Sequence, residues 1–199
     1  MSIKQVTGIV LAGGRARRMG GIDKGLIDLD GMPMIAHVVR RLMPQVSGII
    51  ISANRNLTEY GEWTDRVVKD TIGDFDGPLA GMASGLDLVN TEFAATVPCD
   101  SPLLTKDLIS RMYRECVSRA ADIAVAHDGE RLQPVFTMMR PSLGASILGF
   151  LESGERKIDK WFEQHAFISV DFSDRPESFL NINTEDDKRR LLALGRLYK

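Results

Sequence analysis

The sequence predicts a single α/β domain whose mainly parallel β-sheet is covered by helices on both faces. Short apolar, β-branched runs alternate with helical segments along the chain. The predicted strands are apolar throughout, which is typical of parallel strands buried between two helical layers. The 199 residues suffice for one sizeable core and contain no internal repeat, low-complexity segment or linker, so we expect one domain over residues 1–199.

Four strands are predicted in the first half of the chain, each a short apolar run. They lie at residues 6–11, 48–52, 66–69 and 93–97. A further short extended piece is expected at 26–29. Pro33 suits the first turn of a helix over about 33–45, and the turn at 76–78 precedes a second helix over 79–89.

The second half continues the alternation and adds a returning strand. Thr105 is a plausible N-cap for a helix that runs to about residue 120. A turn at Asp128-Gly129 separates a strand at 123–126 from one at 135–138, which indicates an antiparallel addition at one end of the sheet. The remaining predicted elements are helices at 141–151 and 158–164, a strand at 167–170, and a last helix opened by Thr184 with Asp187 in a capping-box position.

Composition and charge exclude several classes of protein. An apolar fraction of 44% and a charged fraction of 26% exclude disordered and collagen-like chains. The formal charge of −2 argues against a broad nucleic-acid surface. No apolar run approaches the roughly 18 residues that span a bilayer, and the first residues lack a signal-peptide pattern. Because Cys99 and Cys116 have no metal-type spacing, we expect a cytoplasmic protein with free thiols.

The small net charge conceals a basic segment near the start of the chain. Residues 1–24 hold five basic residues against Asp23, a net charge of +4, and the other 175 residues carry −6. Four of the basic residues lie in the loop that follows the first strand and begins Leu11-Ala12-Gly13-Gly14. They are Arg15, Arg17, Arg18 and Lys24. Since glycines let backbone N–H groups approach a ligand at the carboxyl end of a strand, the loop predicts a polyphosphate site.

The loop differs from two widespread phosphate-binding motifs. The Walker A pattern G-x-x-x-x-G-K-[ST] and the dinucleotide pattern G-x-G-x-x-G are both absent. The alternative to a phosphate site is a glycine-rich surface loop with solvated arginines. Four cations directly after a buried strand favour the phosphate site over that alternative.

The same loop resembles a known signature. Leu11-Ala12-Gly13-Gly14, Arg18-Met19-Gly20 and Asp23-Lys24 resemble the signature loop of the sugar-phosphate-type nucleotidyltransferases. Later segments resemble, in order over nearly the whole chain, the molybdenum cofactor guanylyltransferase (MobA) family. These segments are SANR at 52–55, GPLAG at 77–81, PCDSP at 98–102, HDGER at 127–131 and NINT at 181–184. The resemblance implies a three-layer, Rossmann-like α/β sandwich, with a nucleotide-binding part at about 1–105 and an acceptor-binding part at about 106–199.

The resemblance also implies a reaction and its residues. GMP would be transferred from GTP to the terminal phosphate of molybdopterin, with release of pyrophosphate and a requirement for Mg²⁺. The implied catalytic residues are Lys24, Asp100 and Arg18, with Asp100 as the Mg²⁺ ligand. The implied nucleotide-binding residues are Leu11, Ala12, Gly13, Gly14, Arg15, Lys24, Ser52, Asn54, Asp70 and Asp100. The resemblance implies Asn181 and Asn183 on the acceptor side. Further candidates for acceptor binding are Gln133, His127 and Arg156.

One of these positions departs from the pattern of the family. Asn is expected where this chain has Ser52, and serine cannot offer the two-sided pattern of an amide. Guanine selection would then rest more on backbone groups or on Asn54. Ordinary structural roles are the alternatives elsewhere: turns or caps for Asp70, Asp100, Asn181, Asn183 and His127, a solvated surface for Lys24 and Arg156, and loop support for Arg18.

Two other functions stay open at this point. One is nucleotidyl transfer with another base or acceptor, such as cytidylyl transfer to the same pterin. The other is a non-catalytic nucleotide-binding assembly module, against which the presence of both Lys24 and Asp100 argues. The resemblance implies GTP and molybdopterin as substrates and contacts with molybdoenzyme maturation proteins. We expect a monomer that binds neither nucleic acid nor membranes.

Overall fold

A computed structural model describes residues 5–13, 23–70, 77–193, 195 and 197 of the chain. The strands in these residues are β1 (Val6–Leu11), β2 (Asp28–Leu29), β3 (Met32–Pro33), β4 (Ile49–Ser52), β5 (Val67–Val68), β6 (Phe93–Pro98), β7 (Ile123–His127), β8 (Leu132–Met139) and β9 (Phe167–Asp171). The helices are α1 (Met34–Leu42), α2 (Leu57–Tyr60), α3 (Pro78–Leu86), α4 (Leu108–Ser118), α5 (Gly144–Glu152), α6 (Ile158–Phe162) and α7 (Glu185–Ala193). Turns of 3₁₀ helix lie at Lys24–Leu26, Met43–Gln45, Pro141–Leu143 and Pro176–Phe179.

Seven of these strands form one sheet in the order β5-β4-β1-β6-β8-β7-β9, and β2 pairs with β3 in a separate hairpin. Strand β8 is antiparallel to both β6 and β7. The other neighbouring pairs of the large sheet are parallel. The carboxyl ends of β1, β4, β5, β6, β7 and β9 therefore meet at one edge of the sheet.

The predicted antiparallel strand is present as β8, but the expectation that it lies at one end of the sheet is wrong. Thr137 of β8 is in register with Thr96 of β6 on one side and with Val125 of β7 on the other. The chain turns back on the side of β7 that faces β6, so β8 fills the space between two parallel strands. The crossover through α5 and α6 then adds β9 outside β7.

Helices cover both faces of the large sheet, which confirms the predicted three-layer α/β sandwich. On one face, buried side chains of α1 and α4, among them Leu42 and Met112, pack with the sheet in one apolar cluster. On the other face, α3, α5 and α6 contribute Leu86, Ile147 and Trp161 to a second cluster. None of the helices in the described part of the chain has the length and apolar character that a membrane crossing requires.

The start of α4 differs from the prediction. The helix begins at Leu108, three residues after Thr105, and Asp107 takes the N-cap position. The Thr105 hydroxyl donates to Asp107 Oδ1 (2.6 Å), so this side chain is engaged with a neighbouring carboxylate. Helix α2 and the 3₁₀ turn Pro176–Phe179 were not predicted, because four residues are too few to show a helical period.

The N-terminus of α7 has the predicted capping box. Thr184 Oγ1 accepts a hydrogen bond from the Asp187 backbone N–H (3.1 Å), and Asp187 Oδ2 accepts one from the Thr184 N–H (2.9 Å). Asp187 Oδ2 also accepts from the Asn183 N–H (3.0 Å). The box therefore fixes the backbone of Asn183 as well as the first turn of the helix.

The Thr184→Ala variant is expected to lower the free energy of unfolding by about 1 kcal/mol, because it removes the acceptor for an N–H in the first turn of α7. Urea unfolding followed by circular dichroism would measure this change. Thr58→Ala, on the exposed side of α2, is the matched control and should have an unchanged midpoint. Equal midpoints for the two variants would contradict a stabilising role of the box.

Candidate active site

The turn after β1 lies between the ends of two neighbouring strands. The Ala12 N–H donates to the carbonyl of Ser52 at the end of β4 (2.8 Å), and the Cys99 N–H donates to the carbonyl of Leu11 (3.1 Å). Leu11, Ala12 and Gly13 are thus held at the carboxyl edge of the sheet, as expected for a ligand site. Gly14, Arg15 and Arg18, which the sequence also assigns to this site, lie outside the described residues.

Close packing explains why a glycine occupies position 13. A Cβ atom there would lie 3.3 Å from Asn54 Nδ2 and 3.4 Å from Asp70 Oδ2. A Cβ at Gly81 of α3 would lie 2.8 Å from Ser52 Oγ. Both glycines therefore let the backbone approach the same polar cluster closely.

That polar cluster joins three residues predicted to bind the nucleotide. Ser52 Oγ donates to Asp70 Oδ1 (2.8 Å), and Asn54 Nδ2 donates to Asp70 Oδ2 (2.8 Å). The Asp70 backbone N–H donates in return to Asn54 Oδ1 (3.0 Å). Both oxygens of the Asp70 carboxylate are thereby fixed in direction. Ser52 reaches this carboxylate although its side chain is shorter than the expected asparagine.

A second cluster joins residues that are far apart in the sequence. Lys24 Nζ lies 3.3 Å from Asp100 Oδ2 and also donates to Asn183 Oδ1. Asp100 follows β6 and is 9% exposed. Burial raises the pKa of the Asp100 carboxyl, and the positive charge of Lys24 partly offsets that rise. The structure therefore places one cation and one buried carboxylate in contact at the sheet edge.

The segment of residues 181–183 lies directly across the end of β6. The Ile182 N–H donates to the carbonyl of Asp100 (2.9 Å), and Ser101 Oγ donates to Asn181 Oδ1 (2.6 Å). Asn183 contacts Lys24, as described above. Both asparagines of the predicted acceptor side thus lie at the end of β6, Asn181 in contact with Ser101 and Asn183 with Lys24.

The other predicted acceptor residues make contacts of their own. His127 ends β7, and its Nδ1 accepts from the Gly129 N–H (3.1 Å). Gln133 Nε2, at the start of β8, donates to Asp128 Oδ2 (2.5 Å). Arg156 Nη1 donates to the carbonyl of Leu151 at the end of α5 (2.7 Å). None of these three bonds joins them to Lys24 or Asp100, so their acceptor role stays a prediction.

Three residues that contribute to the site were not singled out from the sequence. Gly81 packs under Ser52, Ser101 holds Asn181, and Asp23 holds the backbone beside Lys24. Each lies inside a segment that resembles the family, so its position in the motif was a signal. The contact that each of the three makes could not be inferred from the sequence.

The chemistry of the site fits a nucleotide and a shared metal ion. Mg²⁺ prefers oxygen ligands and is usually held by one or two carboxylates together with phosphate oxygens and water. The described residues contain no cluster of three or more histidine, cysteine, aspartate or glutamate side chains that is arranged to hold a metal ion. A single buried carboxylate, such as that of Asp100, is compatible with an ion whose other ligands are phosphate oxygens and water. Burial raises the pKa of the neighbouring Cys99 thiol, which makes it a poor nucleophile.

Comparison with known proteins shows the family of this chain. A family model described as the MobA-like NTP transferase domain matches residues 8–168. A molybdenum cofactor guanylyltransferase of Shewanella halifaxensis (strain HAW-EB4) is 46% identical over 187 residues, which cover 94% of each chain. A protein of the same name from Shewanella sp. (strain MR-4) is 48% identical over 189 residues, 95% of this chain and 96% of the relative.

A solved structure supports the fold independently. The crystal structure of molybdopterin-guanine dinucleotide biosynthesis protein A from Archaeoglobus fulgidus has a TM-score of 0.77 and 20% sequence identity. It covers 95% of this chain and 98% of its own. At that identity the likeness shows the fold alone. The family model spans most of the chain and the relatives are similar over nearly all of it. This chain therefore belongs to the MobA-like NTP transferase family.

Proposed function

We propose that this protein transfers GMP from GTP to the terminal phosphate of molybdopterin, releasing pyrophosphate. The observation that carries the proposal is the contact of Lys24 with both Asp100 and Asn183 beside the glycine turn that follows β1. A cation, a buried carboxylate and an amide in mutual contact support a site at which two phosphate groups would meet. Relatives that are 46% and 48% identical over nearly the whole chain carry the name molybdenum cofactor guanylyltransferase, which supports the choice of substrates.

The proposed transfer is an in-line displacement. An oxygen of the acceptor phosphate bonds to the α-phosphorus of GTP, and the bond from that phosphorus to the bridging oxygen breaks, so that pyrophosphate leaves with the electron pair. The acceptor phosphate is already ionised near neutral pH, so the reaction needs no strong general base. Two anions must approach each other, and positioning and charge neutralisation therefore supply most of the acceleration.

The chain's own residues divide this work. The backbone of Leu11, Ala12 and Gly13, with Gly14 and Arg15, would hold the triphosphate. Lys24 would move far enough from Asp100 to pair with phosphate oxygens. Arg18 would add a second cation. Asp100 would hold Mg²⁺, which when bound neutralises phosphate charge and stabilises the leaving pyrophosphate.

The two remaining clusters would bind the two ends of the substrates. Ser52, Asn54 and Asp70 form a rigid polar group beside the glycine turn and would bind the nucleoside end of GTP. Asn181 and Asn183 lie across Asp100 and would face the acceptor phosphate. Further predicted acceptor contacts are those of Gln133, His127 and Arg156. Contacts with molybdoenzyme maturation proteins, a monomeric state and a cytoplasmic location stay predictions.

The test of the proposed function is pyrophosphate release by the purified protein with molybdopterin and Mg²⁺, run in parallel with GTP, CTP and UTP. We expect release with GTP and little with the two pyrimidine nucleotides. Release with CTP alone would instead support a cytidylyltransferase acting on the same pterin. Tight GTP binding without any release would indicate a nucleotide-binding assembly module and would overturn the proposal.

The Asn54→Ala variant is expected to raise the KM for GTP about tenfold while kcat changes little. The variant deletes both hydrogen bonds between Asn54 and Asp70 and leaves the one from Ser52. The bond to the Asp70 carboxylate, as a bond to a charged group, contributes about 1.5–3 kcal/mol. These contacts lie away from Lys24 and Asp100, so their loss should weaken ground-state and transition-state binding equally. Steady-state kinetics with GTP as the varied substrate would measure the change.

Asn90→Ala is the matched control for this prediction. Asn90 is exposed, just before the start of β6 and therefore at the opposite edge of the sheet. Its replacement should leave both constants as in the wild type. A fall in kcat for Asn54→Ala without a rise in KM would contradict the assignment of this cluster to nucleoside binding.

A further inference from the structure

Asp23 is a buried carboxylate that the proposed reaction does not use directly. It is 7% exposed and accepts three hydrogen bonds. Its Oδ1 accepts from the Tyr60 hydroxyl (2.6 Å) and from the Gly25 N–H (3.2 Å), and its Oδ2 accepts from Asn56 Nδ2 (3.0 Å). A buried carboxylate needs such hydrogen-bond donors, and the removal of one donor leaves its charge poorly compensated.

The two side-chain donors come from the segment that follows β4. Tyr60 in α2 is fully buried. Its burial, the nearby Cys99 and the hydrogen bond to Asp23 raise the pKa of its phenol, so the hydroxyl stays a donor at physiological pH. Asn56 has φ of 52°, a left-handed conformation that asparagine tolerates better than most residues. Both donors are therefore presented by a backbone with a fixed shape.

Asp23 in turn fixes the backbone on both sides of Lys24. It is the N-cap of the 3₁₀ turn Lys24–Leu26, and its side chain bonds to the N–H of Gly25, the residue after Lys24. Gly25 packs so closely against the Tyr60 hydroxyl that a Cβ at this position would collide with it. The peptide groups that carry Lys24 are thus held against α2, although the lysine side chain itself is flexible and partly exposed.

We propose that Asp23, held by Tyr60 and Asn56, is a positioning residue that sets the point from which Lys24 reaches the phosphates. This inference rests on the proposed function, because it assigns Asp23 a task in the same reaction. The segment after β4 would then serve both halves of the nucleotide site: Asn54 orients Asp70, and Asn56 with Tyr60 orients Lys24 through Asp23.

The test uses two variants that each remove one donor to Asp23 and leave Asp23 and Lys24 intact. Tyr60→Phe keeps the buried ring, and Asn56→Gly keeps the left-handed backbone without strain. We expect each to lower kcat/KM for transfer from GTP about tenfold, since small misplacements of a charged group are costly in a preorganised site. The loss should fall to less than about twofold when either change is made in Lys24→Ala, because contacts that act through one residue are not additive.

Tyr113→Phe is the matched control for the loss of a hydrogen-bonded tyrosine hydroxyl, at a half-buried tyrosine far from the site. Tyr113 packs edge-on against Phe93, and its hydroxyl bonds to Gln5 and Glu92 near the start of β6, at the opposite edge of the sheet. It should leave kcat/KM unchanged. Full loss of activity from Tyr60→Phe or Asn56→Gly in the Lys24→Ala background would show a structural role independent of Lys24 and would overturn the inference, as would wild-type activity of both single variants.

The same double-mutant cycle is repeated for GTP affinity by titration calorimetry without the acceptor. We expect weaker GTP binding by Tyr60→Phe and Asn56→Gly only when Lys24 is present. This readout separates the two proposals. If the wild type binds GTP but transfers nothing, the proposed function fails, and the affinity cycle still supports or overturns the positioning role of Asp23.

Discussion

Asp100→Asn is expected to lower the rate of nucleotidyl transfer by about 10³-fold or more, because an amide cannot supply the charge with which Asp100 is proposed to hold Mg²⁺ against the phosphates. Asparagine has nearly the same shape, and the hydrogen bond from the Ile182 N–H to the carbonyl of residue 100 involves only backbone. The position of the 181–183 segment should therefore survive. Pyrophosphate release with saturating GTP, molybdopterin and Mg²⁺ would measure the loss.

The stability of this variant separates catalysis from folding. Asp100 is buried and its pKa is raised, so its charge costs folding free energy that Lys24 only partly offsets. Replacing it by a neutral amide is expected to leave the thermal midpoint unchanged or slightly higher. Asp122→Asn is the matched control, because Asp122 pairs with Arg140 at the opposite edge of the sheet. Near-normal turnover by Asp100→Asn would refute the role of Asp100 as metal ligand.

Lys24→Ala is expected to lower kcat/KM for GTP by about 10²-fold, the usual effect of deleting one group aimed at developing charge. The side chain contacts Asp100 and Asn183 and is the basic residue of the signature loop that lies within the described residues. Its removal leaves the triphosphate with one cation fewer at the point where two anions meet. Both kcat and kcat/KM should fall, since the charge matters most in the transition state.

The control for this variant is Lys160→Ala. Lys160 lies on α6 and pairs with Glu155 on the surface, and an exposed pair of this kind contributes little. Its replacement should change neither activity nor GTP affinity. A Lys24→Ala protein with wild-type kcat/KM would show that another cation neutralises the phosphates, and Arg18 would then be the first residue to replace.

The order of strands and helices could be predicted because each depends on a short pattern. Val6–Leu11 and Phe93–Pro98 are apolar runs that end at turn residues, and the capping box at Thr184 is a four-residue signal. The place of β8 could not be predicted in the same way. A hairpin partner can pair on either side of a strand, and the choice for β7 depends on β6, which lies on the other side of β8.

The positions of the site residues could be predicted from the sequence, but the contacts between their side chains could not. Asp70 and Asp100 stand directly after strands, so their place at the sheet edge follows from the pattern of the chain. The fixed orientation of Asp70 by Ser52 and Asn54 does not, because it needs the ends of β4 and β5 side by side. The hydrogen bond from Ser52 to Asp70 could not be predicted either, since the length of a side chain says little until the distance it must span is known.

The sequence alone identifies the features that belong to short segments. These are the glycine turn, the excess of basic residues before Lys24 and the two aspartates after strands. The contacts of Lys24 with Asp100 and Asn183, which are 76 and 159 residues away along the chain, are of another kind. A hydrogen bond forms only within about 3 Å. Such partners meet because β1 pairs with β6 and because the 181–183 segment bonds across the end of β6, and both depend on how the whole sheet packs.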